Sequence, residues 1–156
     1  MKLAEALQER SYLYRYIDQL NDRLRNNALV QEGEEPAENP EFLKKELDTS
    51  ISRLSYLIAR IQETNCKTIV DGKSLTQMIA EKDGLISKIA VYKDIAHEGS
   101  TTTHRARNTE IKIKSTISVA NWHSEIDEMS KKLRLLDNQL QPVSYTHLTL
   151  PTNSLV

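Results

Sequence analysis

Apolar residues return every three or four positions in four segments of this 156-residue chain. That spacing places the apolar side chains on one face of an α-helix. The pattern predicts helices over residues 3–27, 40–65, 74–97 and 118–141. In the fourth segment the spacing alternates between three and four residues over about three heptads, which is the template of a coiled coil. Its apolar stripe consists of Val119, Trp122, Ile126, Met129, Leu133, Leu136 and Leu140.

The other three helices carry apolar stripes of the same period, and local signals set the helix ends. Asn39 followed by Pro40 is typical of a helix start. Ser74 with Gln77 matches a capping box, and Pro142 predicts the end of the fourth helix. The three stripes consist of Leu3, Ala6, Leu13, Ile17, Leu20 and Leu24; of Leu43, Leu47, Ile51, Leu54, Ile58 and Ile61; and of Leu75, Ile79, Lys82, Ile86, Ile89 and Ala96.

Two short segments predict strands. Residues 67–70 include β-branched side chains and precede an Asp-Gly turn signal, and the isoleucines of residues 111–117 alternate with lysines. We expect the two strands to pair across one end of the helices, because a lone strand is only marginally stable. The predicted fold class is mainly α: four long antiparallel helices, as a bundle or as coiled-coil hairpins, with a small two-stranded β element at one end.

The sequence predicts one helical domain over residues 1–141 and a separate tail over residues 142–156. The tail is rich in threonine, serine and leucine and has no helical period. Its string VSYTHLTLPTN resembles a translated sequencing-adapter artefact. The alternative is a genuine disordered terminus.

The charges nearly balance, since 21 Lys and Arg residues face 22 Asp and Glu residues. A net charge of -1 gives no electrostatic reason to bind nucleic acid or an anionic membrane, so neither is an expected partner. No window approaches the roughly 18 apolar residues of a spanning helix, and the N-terminus does not resemble a secretory signal. The single cysteine, Cys66, cannot form an internal disulfide. Together these features predict a soluble cytoplasmic protein.

Two polar segments of opposite charge are candidate interaction sites. The acidic loop contains Glu32, Glu34, Glu35 and Glu38, and the basic segment contains His104, Arg105 and Arg107. One interpretation is that the two segments meet, within one chain or between subunits. The other is that both are solvated loops, and an exposed pair contributes only about 0–1 kcal/mol in either case.

Arg10 is a third candidate interaction residue, because it falls on the apolar stripe of the first helix. A charge in a helical seam is costly unless it is paired, and it can fix register or oligomeric state. Lys82 occupies a similar position on the third helix. The alternative for both residues is that the long side chain extends to the edge of the seam and reaches water.

The chain lacks the common catalytic signatures. It has no glycine-rich phosphate loop, no Gly-x-Ser-x-Gly elbow, no Cys-x-x-Cys pair and no Glu-x-x-His. We therefore expect no catalytic residue, no metal and no cofactor, and the balance is against an enzyme. The alternative hypothesis is a metal-binding or enzymatic bundle that uses the histidines and the acidic loop.

Four segments resemble the bacterial septicolysin-like family over about residues 1–141: MKLAEAL at 1–7, NNALVQEGEEP at 26–36, IARI at 58–61 and EIK at 110–112. The resemblance implies a small, self-associating helical protein whose activity is not established. The family name also suggests a membrane-active cytolysin, for which the sequence carries no amphipathic insertion hairpin and no tryptophan-rich membrane loop.

Apolar residues outside the stripes provide more apolar surface than one four-helix seam needs. They include Leu7, Leu57, Leu85 and Leu135. A surplus of this kind favours an oligomer. The expected function is therefore that of a non-enzymatic helical protein that acts as a homo-oligomer or through a protein partner.

Overall fold

The computed structural model describes residues 1–102 and 112–146. It contains four helices and one two-stranded antiparallel sheet within those ranges, which confirms the predicted fold class. The elements are α1 (Leu3–Asn27), α2 (Pro40–Lys67), β1 (Ile69–Val70), β2 (Lys73–Ser74), α3 (Leu75–Ser100) and α4 (Val119–Thr146). No helix in the described part of the chain is both long and apolar enough to cross a membrane.

The chain divides into two compact units. Unit 1 comprises Met1–Thr68 together with the residues from Val143 onward, and unit 2 comprises Ile69–Pro142. Each unit contains its own helix pair and its own buried apolar residues.

In unit 1, α1 and α2 form an antiparallel hairpin. Glu9, early in α1, pairs with Arg53, midway along α2, whereas Arg23, late in α1, pairs with Glu38, just before α2. The fully buried side chains Leu20, Leu57 and Ile61 come from both helices. The start of α2 matches its prediction, because the Asn39 side chain accepts a 2.9 Å hydrogen bond from the Glu41 backbone N–H and Pro40 is the first helical residue.

In unit 2, a tight hairpin leads directly into α3. Ile69 pairs with Ser74 and Val70 with Lys73, and the two turn residues Asp71 and Gly72 both have positive φ, 50° and 81°. Two successive positive φ angles are typical of the type I′ turn that fits the twist of a two-residue hairpin.

The predicted capping box begins α3, and α3 packs antiparallel against α4. The Ser74 hydroxyl accepts from the Gln77 backbone N–H at 3.2 Å, and the Gln77 side chain accepts from the Ser74 N–H at 3.0 Å. Lys82 pairs with Asp137, while Tyr92, further along α3, contacts Trp122 near the start of α4 with ring centroids 4.7 Å apart. Ile89, Ala96, Ile126 and Met129 form the buried cluster between the two helices.

The predicted pairing of residues 67–70 with residues 111–117 is wrong. Residues 112–117 form no strand, and β1 pairs with β2 instead. Ile111 lies outside the described residues. The Asp71–Gly72 turn explains the outcome, because a two-residue loop closes at a much smaller entropic cost than a connection of about 40 residues.

The predicted end of the fourth helix at Pro142 is also wrong, since α4 continues for one more turn to Thr146. Proline removes one backbone donor, and so the carbonyl of Asn138 loses its helical partner. A proline inside a helix can leave the helix continuous with one hydrogen bond fewer, and only four helical residues follow Pro142. Residues 147–156, most of the predicted tail, lie outside the described residues.

Two predicted stripes are rotated in the structure. On α3, Ile79 and Ile86 are 38% and 46% exposed, and Met78 is buried in their place. On α2, Ile51 of the predicted stripe is exposed, whereas Leu57, which lies outside that stripe, is fully buried. Both helices carry apolar residues on two adjacent rows. Periodicity alone therefore does not determine which of the two rows faces the core.

Two glycines provide a matched test of the backbone. Gly84 lies within α3 and has open space around an added Cβ, whereas Gly72 has a φ of +81°. We expect Gly84→Ala to raise the free energy of unfolding by about 1 kcal/mol, because alanine is the better helix former. Gly72→Ala is expected to lower it by about 1–2 kcal/mol through strain in the left-handed region. Urea unfolding followed by circular dichroism measures both, and equal effects of the two substitutions would contradict the assigned backbone.

Candidate interaction face and candidate ligand groove

One side of the unit 1 hairpin carries aromatic and arginine side chains. On α2 they belong to a row with alternating spacings of four and three residues, which places the row on one side of the helix. Tyr12 and Tyr16, four residues apart on α1, stack with ring centroids 5.6 Å apart and rings nearly parallel at 11°. We call this surface the aromatic–arginine face; it consists of Tyr12, Tyr16, Phe42, Arg53, Tyr56 and Arg60.

Two contacts hold α1 and α2 together along this face. The Tyr16 hydroxyl donates a 2.9 Å hydrogen bond to Glu46, and Arg53 donates to both carboxylate oxygens of Glu9 at 2.6 and 2.9 Å. The hydrogen bond to Glu46 raises the pKa of Tyr16. The hydrogen bond from Arg53 lowers the pKa of Glu9. A bidentate pair of this kind fixes the guanidinium plane as well as its charge.

At one end of the face lies a groove with a volume of about 420 Å³. Phe42 stands beside it with 70% of its surface exposed, and Tyr12, which extends the aromatic surface from Tyr16, is 54% exposed. Exposed aromatic surface beside a groove is characteristic of a place where another molecule binds. The lining residues are Tyr16, Phe42, Lys45, Glu46, Thr49 and Ser50.

At the other end of the face, Tyr56 lies between two guanidinium groups. The Cζ atoms of Arg53 and Arg60 are 5.6 and 5.4 Å from its ring centroid, within the range of a cation–π contact. Arg60 also donates to Glu63 at 2.8 Å. Both arginines therefore have a carboxylate partner within unit 1, and this end of the face carries no excess positive charge.

Glu38, predicted as part of the acidic loop, anchors that loop to α1. Arg23 donates to both of its carboxylate oxygens, and the Glu38 backbone N–H donates to the Asn27 side chain at 2.9 Å. The hydrogen bond from Arg23 lowers the pKa of Glu38. This glutamate holds the loop in place, so it is not available as a free charge.

The structure describes only one of the two charged segments that were predicted to meet. Glu32, Glu34 and Glu35 are exposed between α1 and α2. Arg105 and Arg107 lie outside the described residues. The hypothesis that the acidic loop meets the basic segment therefore stays a prediction.

The two predicted charges in the helical seams have different surroundings. Lys82 pairs with Asp137 of α4. Arg10 is half-buried and forms no ion pair with a residue in 1–102 or 112–146. It lies four residues before Tyr14, on the side of α1 away from Tyr12.

Most of the aromatic–arginine face was not predicted from the sequence, because its residues do not belong to a repeating apolar pattern. The signal is nevertheless present in the sequence as a second helical row on α2 that mixes aromatic and polar residues. This row is Phe42, Glu46, Thr49, Arg53, Tyr56 and Arg60.

Unit 2 contains a second groove, with a volume of about 330 Å³. Three elements wall it: the β1–β2 hairpin, the start of α3 and the end of α4. Its floor is apolar and includes the buried residues Met78 and Leu136. The groove is lined by Val70, Asp71, Lys73, Met78, Glu81, Leu85, Lys132, Leu135, Leu136 and Gln139.

Charged groups of both signs line the rim of this groove. Lys73 donates to Glu81 at 2.8 Å, and the Gln139 amide donates to Asp71 at 3.2 Å. The hydrogen bond from Lys73, together with the more distant charge of Lys132, lowers the pKa of Glu81. A cluster of three or more His, Cys, Asp or Glu side chains able to hold a metal ion is not found among residues 1–102 and 112–146.

Comparison with known proteins gives a family and a fold. The sequence model of a family of unknown function, DUF6847, matches residues 10–147. The chain is also similar to a crystal structure of a functionally unknown conserved protein from Corynebacterium diphtheriae, with a TM-score of 0.85, 34% identity and coverage of 93% of this chain and 95% of that one. No curated protein matches significantly.

These findings overturn the resemblance to the septicolysin-like family. The matching family model and the similar crystal structure both carry descriptions of unknown function, and neither is septicolysin-like. The short segments that suggested the resemblance are therefore not evidence of that family.

The lowered pKa of Glu9 predicts a pH-dependent contribution to stability. It is present above the ordinary pKa of 4.5 and is lost as the pH falls through the lowered value in the folded state. The pair is partly exposed, so we expect Glu9→Gln to cost about 1 kcal/mol at neutral pH and almost nothing in strong acid. Urea unfolding over a pH series measures this difference. Glu32→Gln, in the exposed loop, serves as control, and a cost of Glu9→Gln that does not depend on pH would contradict the assigned pair.

Proposed function

The chain belongs to DUF6847, a family of unknown function, and we propose that it acts without catalysis, by associating with a second copy of itself through the aromatic–arginine face. The observation that carries the proposal is the exposure of Phe42 and Tyr12 on the same side of one helical hairpin. Large exposed aromatic side chains lose unfavourable contact with water when a partner covers them.

The composition of the face supports a protein partner. Tyrosine, phenylalanine and arginine are enriched in the buried centres of protein interfaces, whereas lysine and glutamate are depleted there. The arrangement is also already ordered in the single chain, since Tyr56 lies between Arg53 and Arg60 and Arg53 is held by Glu9. Less side-chain entropy is lost when an ordered surface binds.

The charge balance of the face favours a second copy over a different protein. In a twofold symmetric dimer the same surface contacts itself, so an uncompensated charge would meet its own like charge. Here Arg53 and Arg60 are each paired with a glutamate of unit 1. The groove beside Phe42 offers a recess for the Phe42 side chain of the second copy.

A cytoplasmic location is part of the proposal. It is supported by the presence of a single cysteine, because a chain without a possible internal disulfide gains no stabilisation from an oxidising compartment. The near balance of Lys and Arg with Asp and Glu supports a protein rather than a nucleic acid as the partner.

Sedimentation velocity over a series of micromolar concentrations tests the proposal. We expect the unchanged protein to show a concentration-dependent dimer. Phe42→Ser should weaken it by about 30-fold in Kd, because truncating an interface hot spot costs about 2 kcal/mol or more. Tyr12→Ser should act in the same direction. Both side chains are exposed, so circular dichroism is expected to show unchanged helix content.

Tyr14→Ser is the matched control. Tyr14 is on the same helix and is 51% exposed, but a separation of two residues places it about 200° around the axis from Tyr12. It should leave the dimer unchanged. A protein that stays monomeric at every concentration would contradict self-association, and an equal effect of Tyr12→Ser and Tyr14→Ser would contradict the assigned face.

A further inference from the structure

We propose that the groove of unit 2 binds a small zwitterion with an apolar side chain, the chemistry of an apolar α-amino acid. The inference does not depend on the proposed self-association, because every residue of the groove belongs to unit 2 and the aromatic–arginine face belongs to unit 1. It rests on the shape of the groove, its floor and the charges on its rim.

The three walls converge because of local geometry. Met78, Glu81 and Leu85 on α3 are spaced three and four residues apart, and Lys132 and Gln139 on α4 are seven apart, so each set lies on one side of its helix. The hairpin is held against α4 by the hydrogen bond between Gln139 and Asp71. A volume of about 330 Å³ lies at the lower end of the range of known ligand pockets, which limits the groove to a small molecule.

The floor selects an apolar group. Met78 is almost fully buried, Leu136 is buried and Leu85 is half-buried, so the groove offers carbon and sulfur atoms where a ligand would lie deepest. Burial of ligand methylene groups against such a surface favours binding through the hydrophobic effect. A flexible methionine also adapts to side chains of different shape.

The rim selects a zwitterion. Asp71 would repel a simple anion, and Lys132 would repel a simple cation. Lys73 and Glu81 already satisfy each other at 2.8 Å. A ligand that carries one charge of each sign avoids both repulsions.

Two groups remain to hold the charges of the ligand. Lys132 forms no ion pair of 4 Å or less with any residue in the described ranges, and its ammonium can receive the ligand carboxylate. Asp71 is bound by the neutral amide of Gln139, and its carboxylate can receive the ligand ammonium. The positive φ of Asp71 is a conformation that aspartate and asparagine tolerate better than other side chains do, so this residue provides both the turn and the charge.

A ligand series tests the chemical class. Titration of the full chain with L-leucine, followed by two-dimensional NMR, is expected to shift amide signals of the hairpin, of the start of α3 and of the end of α4. The isosteric acid 4-methylpentanoate lacks the ammonium and 3-methylbutylamine lacks the carboxylate. Each should bind about tenfold more weakly or worse, since a charge-assisted hydrogen bond is lost. Glycine, which lacks the apolar side chain, should also bind more weakly.

Two substitutions test the site, with a control beside them. Lys132→Met keeps most of the length of the side chain and removes its charge, and Asp71→Asn keeps the turn and removes the carboxylate. Each is expected to weaken L-leucine binding about tenfold. Lys131→Met, at the adjacent exposed position on α4 that does not line the groove, should bind as the unchanged protein does.

Three results would overturn the inference. The first is the absence of any amide shift with L-leucine at millimolar concentration. The second is equal binding of the acid or the amine that lacks one charge. The third is an equal effect of Lys132→Met and Lys131→Met. None of them bears on the dimer of the unit 1 hairpin, so the two proposals can fail separately.

Discussion

Burial of one apolar stripe per helix is the constraint on which the rest of the structure depends. Once Leu20 of α1 and Leu57 and Ile61 of α2 are buried together, the rotation of each helix about its axis is fixed. A helix has room for a second row about 80–100° away from the first, and on α2 that row runs from Phe42 to Arg60. The aromatic–arginine face is thus a geometric consequence of the core, since a rotation of α2 that turned this row towards α1 would bury Arg53 and move Leu57 out of the core.

The same constraint shapes unit 2 and leads to a different outcome. The cluster of Ile89, Ala96, Ile126 and Met129 forms the buried contact between α3 and α4. Towards the hairpin the side chains between the helices become longer and charged, as at Glu81 and Lys132. One part of the pair therefore makes the buried cluster, and the other part, together with the hairpin that contains Asp71, makes the groove.

How well the sequence predicts a feature of this structure depends on whether local or long-range interactions determine that feature. Local signals were sufficient for the Asn39 cap, the Ser74 capping box and the boundaries of α1. The partner of β1 was predicted incorrectly, because both residues 73–74 and residues 111–117 could pair with it. The lower entropic cost of closing the shorter loop favours residues 73–74. The rotation of α3 was not predicted, because Ile79 and Met78 are both apolar. Which of the two is buried depends on how α3 packs in the folded unit. The acidic loop became a candidate site because four glutamates lie close together in the sequence. The aromatic–arginine face was not predicted, because its row on α2 mixes aromatic with polar residues and forms no apolar stripe.

The ion pairs of unit 1 are better explained by the surface they create than by the stability they add. Exposed pairs contribute about 0–1 kcal/mol, and Arg53–Glu9, Arg60–Glu63 and Arg23–Glu38 are all partly exposed. A chain selected for stability alone could place apolar or small polar residues there at little cost. The pairs Arg53–Glu9 and Arg60–Glu63 neutralise and orient the guanidinium groups beside Tyr56, which would lower the electrostatic and entropic cost of the proposed contact with another protein. The proposed contact between two identical copies of the face depends on this neutralisation, because unpaired arginines would meet their own like charges across a twofold axis.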